Sequence, residues 1–356
     1  MAGSFKKSST PFDVAKVGET YLRIFKLSLN ANTSRNQSFS PLSQSGDTKE
    51  ISYHYQIFFR RRRGGMGIPY DLARTELTTL FAPYDLQIDH EHVPKHRMRI
   101  TLDISPKETA KHAKNLAYTE AILSQHIEPY RGLEITPIER GHWYTGWIRQ
   151  GDNQIYQEEV FVQDIKTRRQ ESPHHQTFQT YKDGQPTAIK GHLTHRALSA
   201  IDARFLFNIA QLQPNARVLD PFAGFGGIIR EGQRRTLTVF ASDIDPTLSV
   251  GLQSLTPQTY TLADARTIPI HAHTFDAIIT EPPFHSKHQQ AVFDALPELM
   301  RVLKPNGKLI LLIAQDMLST IQSQCHQHKL DLTHISTIPR DHGLRCPVLI
   351  IQSLTN

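Results

Sequence analysis

The chain has 356 residues, 38% of them hydrophobic, and 40 Lys and Arg against 34 Asp and Glu give it a net charge of +6. That length predicts two domains, each able to bury a core. Two cysteines, Cys325 and Cys346, exclude a disulfide framework and a cysteine-rich zinc module, and the longest apolar run, LILLIA at 309–314, is too short to span a bilayer.

The charge is unevenly divided. Residues 1–190 hold 26 Lys and Arg against 21 Asp and Glu, whereas residues 191–356 hold 14 against 13. A basic first half suits a nucleic-acid-facing module, and a merely soluble surface equally well. The opening MAGSFKKSST has no apolar stretch to serve as a signal peptide, so with so few cysteines the predicted compartment is a reducing cytoplasm. Cys325, His326 and His328 crowd one helix-like stretch and make a poor tetrahedral site, so no metal is expected.

In chain order, residues 28–50 are rich in Ser, Asn, Gln and Thr and nearly free of large apolar side chains, which predicts a loose, partly disordered segment over 1–52. YHYQIFF (53–59) reads as a strand, and YDLARTELTTLF as a helix with Leu72, Leu77 and Leu80 at helical spacing. RMRITLDIS (97–105) reads as a strand, KNLAYTEAILSQHI (114–127) as a helix and QEEVFVQDI (157–165) as a strand. These elements make a small α+β module over 53–185. Pro173, Gly184 and Pro186 punctuate a polar stretch at its end.

From 186 to 356 the pattern changes. Leu198, Ile201, Phe205, Ile209 and Leu212 mark an amphipathic helix that Pro214 stops. Short apolar strands then alternate with helices from RVLD to KLILLIA, which predicts an α/β, Rossmann-like sheet covered on both faces. The last run, CPVLIIQ, follows LTHIS after only a loop, so it enters antiparallel as one of seven strands.

Ligands of such sheets sit beyond the carboxyl ends of the strands at the point where strand order reverses. The turn in VLDPFAGFGG (218–227) lies there, yet it lacks the third glycine of a dinucleotide fingerprint, and no G-K-[ST] follows for a triphosphate. Asp243 in SDIDP can accept two hydrogen bonds from ribose hydroxyls, and Asp264 in LADA can accept one from an adenine amine. Plainer roles compete: Gly224 and Gly226 as tight-turn residues, Asp243 as the cap of a helix starting at Pro246, and Asp264 as a solvated carboxylate.

VLDPFAGFGG, SDIDP, LADA and TEPPF (280–284), in that order, resemble the S-adenosylmethionine-dependent methyltransferases that modify amino groups of nucleic-acid bases. Within them, the helix before LDPFAGFGGI and that segment are most similar to the tRNA guanosine-N2 methyltransferases often linked to a THUMP domain. The likeness covers roughly residues 190–350. It implies that S-adenosylmethionine rests on Asp220, Phe222, Gly224, Gly226, Asp243, Asp264 and Ala265. It further implies that Glu281 and the Pro282 carbonyl accept hydrogen bonds from the acceptor amine while Phe284 stacks on the base. Glu281 departs from the family's usual Asp or Asn by one methylene, a shift of about 1.5 Å.

A tRNA or other structured RNA is then the implied partner, with the base turned out of its stack. Arg60, Arg61, Arg62 and Arg63 form the densest basic patch, with Arg97, Arg99, Arg168 and Arg169 as weaker phosphate contacts. Trp143, Tyr144 and Trp147 offer stacking surfaces, although core packing suits them better. The rivals are a DNA adenine or cytosine amino-methyltransferase, a non-catalytic RNA-binding protein that keeps the fold, and, last, a protein-glutamine methyltransferase. Oligomeric state is left open.

Overall fold

The computed structural model describes residues 52–59, 70–89, 97–113, 115–125, 133–134, 143–150, 153–162, 178–182, 185–189, 198–340 and 343–354. In chain order, β1 (Tyr53–Phe59) is followed by α1 (Tyr70–Phe81), β2 (Gln87–Asp89), β3 (Arg97–Leu102), α2 (Pro106–Ala113) and β4 (Thr119–Gln125). β5 (Leu133–Glu134), β6 (Trp143–Gln150) and β7 (Asn153–Val162) complete an antiparallel sheet in the order β2-β3-β1-β4-β7-β6-β5. A hairpin of β8 (Phe178–Lys182) and β9 (Gln185–Ile189) stands apart from both larger sheets.

Of the stretch 114–127, predicted as a helix, the described residues 115–125 are instead turn and then strand β4, paired with β1 on one side and β7 on the other. Leu116, Tyr118 and Ile122 have a spacing a helix would accept, but pairing at the middle of a sheet decides the conformation. The helix in this region lies earlier. Ser105 and Glu108 form a reciprocal capping box, with Ser105 N–H donating to Glu108 Oε2 at 3.3 Å, and Pro106 opens α2.

The second unit runs α3 (Ala200–Ala210), β10 (Arg217–Asp220), α4 (Gly227–Arg234), β11 (Thr238–Asp243), α5 (Ser249–Leu255), β12 (Tyr260–Leu262), β13 (Phe275–Thr280), α6 (Ser286–Val302), β14 (Leu303–Leu312), α7 (Leu318–Gln327), β15 (Leu330–Pro339) and β16 (Arg345–Ser353). Its seven strands lie in the order β12-β11-β10-β13-β14-β16-β15, and only β16 runs against its neighbours. This is the Rossmann-like sheet that the alternation predicted, with the antiparallel final strand in place. Strand order reverses between β10 and β13, and parallel pairing of Asp220 with Ala241 and of Leu219 with Ile278 brings the carboxyl ends of β10, β11 and β13 side by side.

α3 corrects an expectation. Instead of an apolar stripe with a wet face, every residue from Asp202 to Ala210 is buried. Its polar positions meet other elements: Asn208 donates to Glu76 of α1 and to the Asn115 carbonyl, and Asp202 accepts from the Tyr118 hydroxyl at 3.1 Å. Glu76, fully buried, also accepts from the amides of Ala117 and Tyr118 at 2.6 and 3.0 Å. One apolar core therefore runs without a break from Tyr55, Phe81 and Tyr118 through Phe205 and Phe207 to Ile229 and Val348. A second core under α6 and α7 covers the opposite face, including Phe275, Ile278, Leu296 and Met317.

Candidate active site

Four strand ends build one cavity of about 430 Å³, within the usual size range of a small-molecule site. It is lined by Asp220, Phe222 and Gly224 after β10, Asp243 and Ile244 after β11, Asp264 and Ala265 after β12, and Glu281 after β13. Of the residues predicted from sequence, these seven sites therefore share one crevice: Asp220, Phe222, Gly224, Asp243, Asp264, Ala265 and Glu281. Gly226 and Pro282 are buried and do not line it, and Phe284 packs against both apolar cores; Pro283 and His288 form part of the wall.

The turn after β10 is tied down by backbone donors. Ala223 N–H donates to the Ser242 carbonyl, Gly224 N–H to Asp243 Oδ2 at 2.8 Å, and Gly226 N–H to the Ala223 carbonyl at 2.8 Å. Gly226 takes φ 79° at the start of α4, and a Cβ there would lie 2.6 Å from Leu255 Cδ1. Gly226→Ala is therefore expected to cost about 1–3 kcal/mol of stability, from the left-handed backbone and the forced shift of Leu255 together, read as a lower midpoint in urea unfolding.

Asp243 does not cap the turn at Pro246. Asp245 does so, accepting from Thr247 N–H at 2.9 Å, while Asp243 Oδ1 accepts from Asp245 N–H. Asp243 is thus the knot between two loops that face the cavity. Asp264 is bound bidentately by Arg266, Nε donating to Oδ1 at 3.1 Å and Nη2 to Oδ2 at 2.6 Å, and that hydrogen bonding holds its carboxyl below the usual range. A ligand amine at Asp264 shares it with Arg266, which also lines the wall.

Three carboxylates crowd the deep end. Asp220 is 2% exposed and accepts from the Thr280 hydroxyl at 2.6 Å; burial, with Asp243 and Glu281 nearby, lifts its pKa to about 7 despite that bond. Burial likewise lifts Glu281 to about 7, against the pull of Arg340, whose Nη2 lies 2.6 Å from Glu281 Oε1. The same nitrogen stands 3.4 Å from Asp202 Oδ2, and the guanidinium lies 5.8 Å from the centre of the Phe284 ring. The acceptor carboxylate predicted from TEPPF is therefore part of an ion pair. Arg340 carried no local signal in the sequence, since it follows β15 far from the motif. Ile244, 62% exposed between two aspartates of SDIDP, was legible as an apolar wall and was missed.

Among the remaining candidates, Arg60–Arg63, Arg168 and Arg169 lie outside the described residues, as do the side chains of Arg97, Trp143, Tyr144 and Trp147. Arg99 is exposed and stands 3.8 Å from Asp89. Cys325 is buried, which pushes its thiol up to about 11, and the described residues hold no group of three or more His, Cys, Asp and Glu able to take a metal ion. No helix among them is long and apolar enough to cross a membrane.

Residues 219–311 match the methyltransferase-domain family. The chain is 31% identical over 132 residues to the ubiquinone/menaquinone biosynthesis C-methyltransferase UbiE of Laribacter hongkongensis, a match covering 35% of this chain and 53% of that protein. It thus spans about half the length of this curated relative. Among solved structures, TrmN from Thermus thermophilus is 16% identical, with 85% of this chain and 100% of that one covered at a TM-score of 0.47. A TehB-like methyltransferase from Corynebacterium glutamicum is 19% identical, with 43% and 87% covered at a TM-score of 0.36.

The cavity suits S-adenosylmethionine on its own chemistry. Asp220 and Asp243 offer carboxyl oxygens to a cationic ligand, Asp243 and Asp264 offer acceptors for hydroxyl and amine, and Ile244, Leu248, Ala265 and Val292 supply apolar walls. The carboxyl-terminal unit is therefore a Rossmann-like fold in which residues 219–311 match the methyltransferase-domain family and the cavity residues fit S-adenosylmethionine.

Proposed function

We propose that the protein methylates an exocyclic amino nitrogen of a nucleic-acid base, and that its substrate is N2 of a guanosine in tRNA. The observation that carries this reading is Glu281, at the end of β13 in TEPPF, opening onto the same cavity as Asp243 and Asp264. When bound, S-adenosylmethionine supplies an electrophilic methyl carbon.

An aromatic amine is a poor nucleophile because its lone pair is delocalised into the ring. Glu281 accepts an N–H hydrogen bond and so favours an amine bent toward tetrahedral geometry, with the lone pair directed along the line of displacement. The amine nitrogen would take the methyl carbon from S-adenosylmethionine held by residues that include Asp220, Asp243 and Asp264, with the electron pair of the broken carbon–sulfur bond left on sulfur. The methylated nitrogen then loses a proton, and a carboxylate whose pKa is about 7 is suited to receive it. Guanine is favoured over adenine and cytosine on electrostatic grounds. Its N1–H stands beside the amine as a donor, where adenine and cytosine present a ring lone pair that repels a carboxylate. The basic excess over residues 1–190 supports an RNA partner.

The test is methyl transfer from labelled cofactor to unmodified tRNA, with nucleosides identified by mass spectrometry. N2-methylguanosine is the expected product. Methylated adenine or cytosine in DNA, or cofactor binding without transfer to any nucleic acid, overturns the reading. Glu281→Gln is expected to lower turnover about tenfold to a hundredfold with cofactor affinity by calorimetry unchanged, since it loses a charge-assisted acceptor and no cofactor contact.

A further inference from the structure

We propose that Arg340 is a positioning residue for methyl transfer: it pairs with one oxygen of Glu281, holds that side chain in place, and leaves the other oxygen for the acceptor amine. The proposal rests on the reading of Glu281 given above.

The geometry is specific. Arg340 follows β15 directly, and its N–H donates to the Leu344 carbonyl at 2.7 Å, which fixes the backbone where the chain turns toward β16. Its side chain crosses Phe284 and places Nη2 between Glu281 Oε1 at 2.6 Å and Asp202 Oδ2 at 3.4 Å. Oε1 is fully buried, and at 2.6 Å from Nη2 the two atoms form an ion pair without the alignment of a hydrogen bond. Oε2 makes no hydrogen bond, so the remaining 15% exposure of this side chain leaves it as the oxygen open to the cavity. Asp202 in turn accepts from Tyr118 of the amino-terminal unit, so Arg340 is held from behind.

Ionisation is the point of the arrangement. Glu281 faces Arg340 after β15, Asp202 on α3 and Asp220 after β10; Arg340 itself faces Asp202, Cys346 on β16 and Tyr118. Burial and Asp202 favour the protonated acid, and Arg340 opposes them. A protonated Glu281 donates where the amine needs an acceptor. Without Arg340 burial and Asp202 would act on the carboxyl unopposed and favour its protonated form further.

The experiment compares pH–rate profiles for tRNA methylation and, separately, the titration of Glu281 followed by NMR in protein carrying carboxyl-labelled glutamate, with Glu281→Gln supplying the assignment. Arg340→Met is expected to move the acidic limb of the profile to higher pH by at least about one unit, so that activity lost at neutral pH returns in alkali. Arg340→Lys should restore the limb. Asp202→Asn should move it the other way, because removing a neighbouring negative charge favours ionisation, and structural damage does not produce shifts of opposite sign. A loss of activity that is equal at every pH, or an NMR titration of Glu281 unmoved by Arg340→Met, overturns the proposal. Should the wild-type protein methylate no tRNA, the function proposed above falls; the NMR titration then judges Arg340 alone, an upward move supporting its hold on Glu281 and an unmoved one refuting it.

Discussion

Glu231→Gln is expected to destabilise the protein by about 3–5 kcal/mol in urea unfolding at neutral pH. Glu231 lies on α4 with its side chain 2% exposed, and three guanidinium groups converge on it: Arg234 at 2.7 Å, Arg235 at 2.8 Å and Arg204 at 3.4 Å. Arg204 is itself buried on α3. The glutamine keeps the shape and removes the negative charge that faces the buried guanidinium groups of Arg204 and Arg235. Burial alone would push the Glu231 carboxyl up; the hydrogen bond from Arg234 and the charges of Arg204, Arg235 and Arg234 outweigh it and hold the pKa at about 2, below an ordinary value of 4.5. A depressed folded pKa stabilises above the unfolded value and ceases to do so as pH falls through the folded one. The difference between wild type and variant should therefore be constant above about pH 5, shrink below 4.5 and vanish toward 2. A difference that persists at pH 2 would show that the variant acts through packing and not through charge.

Asp243→Ala is expected to weaken S-adenosylmethionine binding by roughly 10- to 150-fold, the equivalent of losing one charge-assisted hydrogen bond of about 1.5–3 kcal/mol. Two losses combine. The carboxylate proposed to accept from the ribose is gone, and the amides of Gly224 and Asp245 lose the oxygens that tie the turn after β10 to the loop after β11. Asp243→Asn keeps an acceptor for one of those amides and should fall between wild type and alanine. Calorimetric titration of the three proteins provides the ranking, and equal affinity in all three would remove Asp243 from the cofactor site.

How much of this was legible in the sequence depends on whether the signal was local. The carboxyl-terminal sheet was, because each strand is a short apolar run followed by its own turn chemistry, and the strand-end residues Asp220, Asp243, Asp264 and Glu281 fall into one crevice once the strands are parallel. The α2 cap was equally readable in Ser105 and Glu108 and was overlooked, while β4 was mistaken for helix because pairing partners distant in the chain decide it. α3 shows a different limit. Its polar residues look like a solvent face until Glu76 and Tyr118, from a unit far back in the chain, supply their partners. Arg340 is the same case at the site itself: nothing around it marks it, and only the fold puts it against Glu281.

The helix Ala200–Ala210 has a practical corollary. Because its Asn208 and Asp202 meet Glu76, Asn115 and Tyr118 on one side and Arg235 and Arg340 on the other, cutting the chain in front of it would remove half of those partners and bare apolar side chains that share a core with the earlier segment. The carboxyl-terminal half is accordingly not a portable cassette: it shares part of its interior with the segment that precedes it.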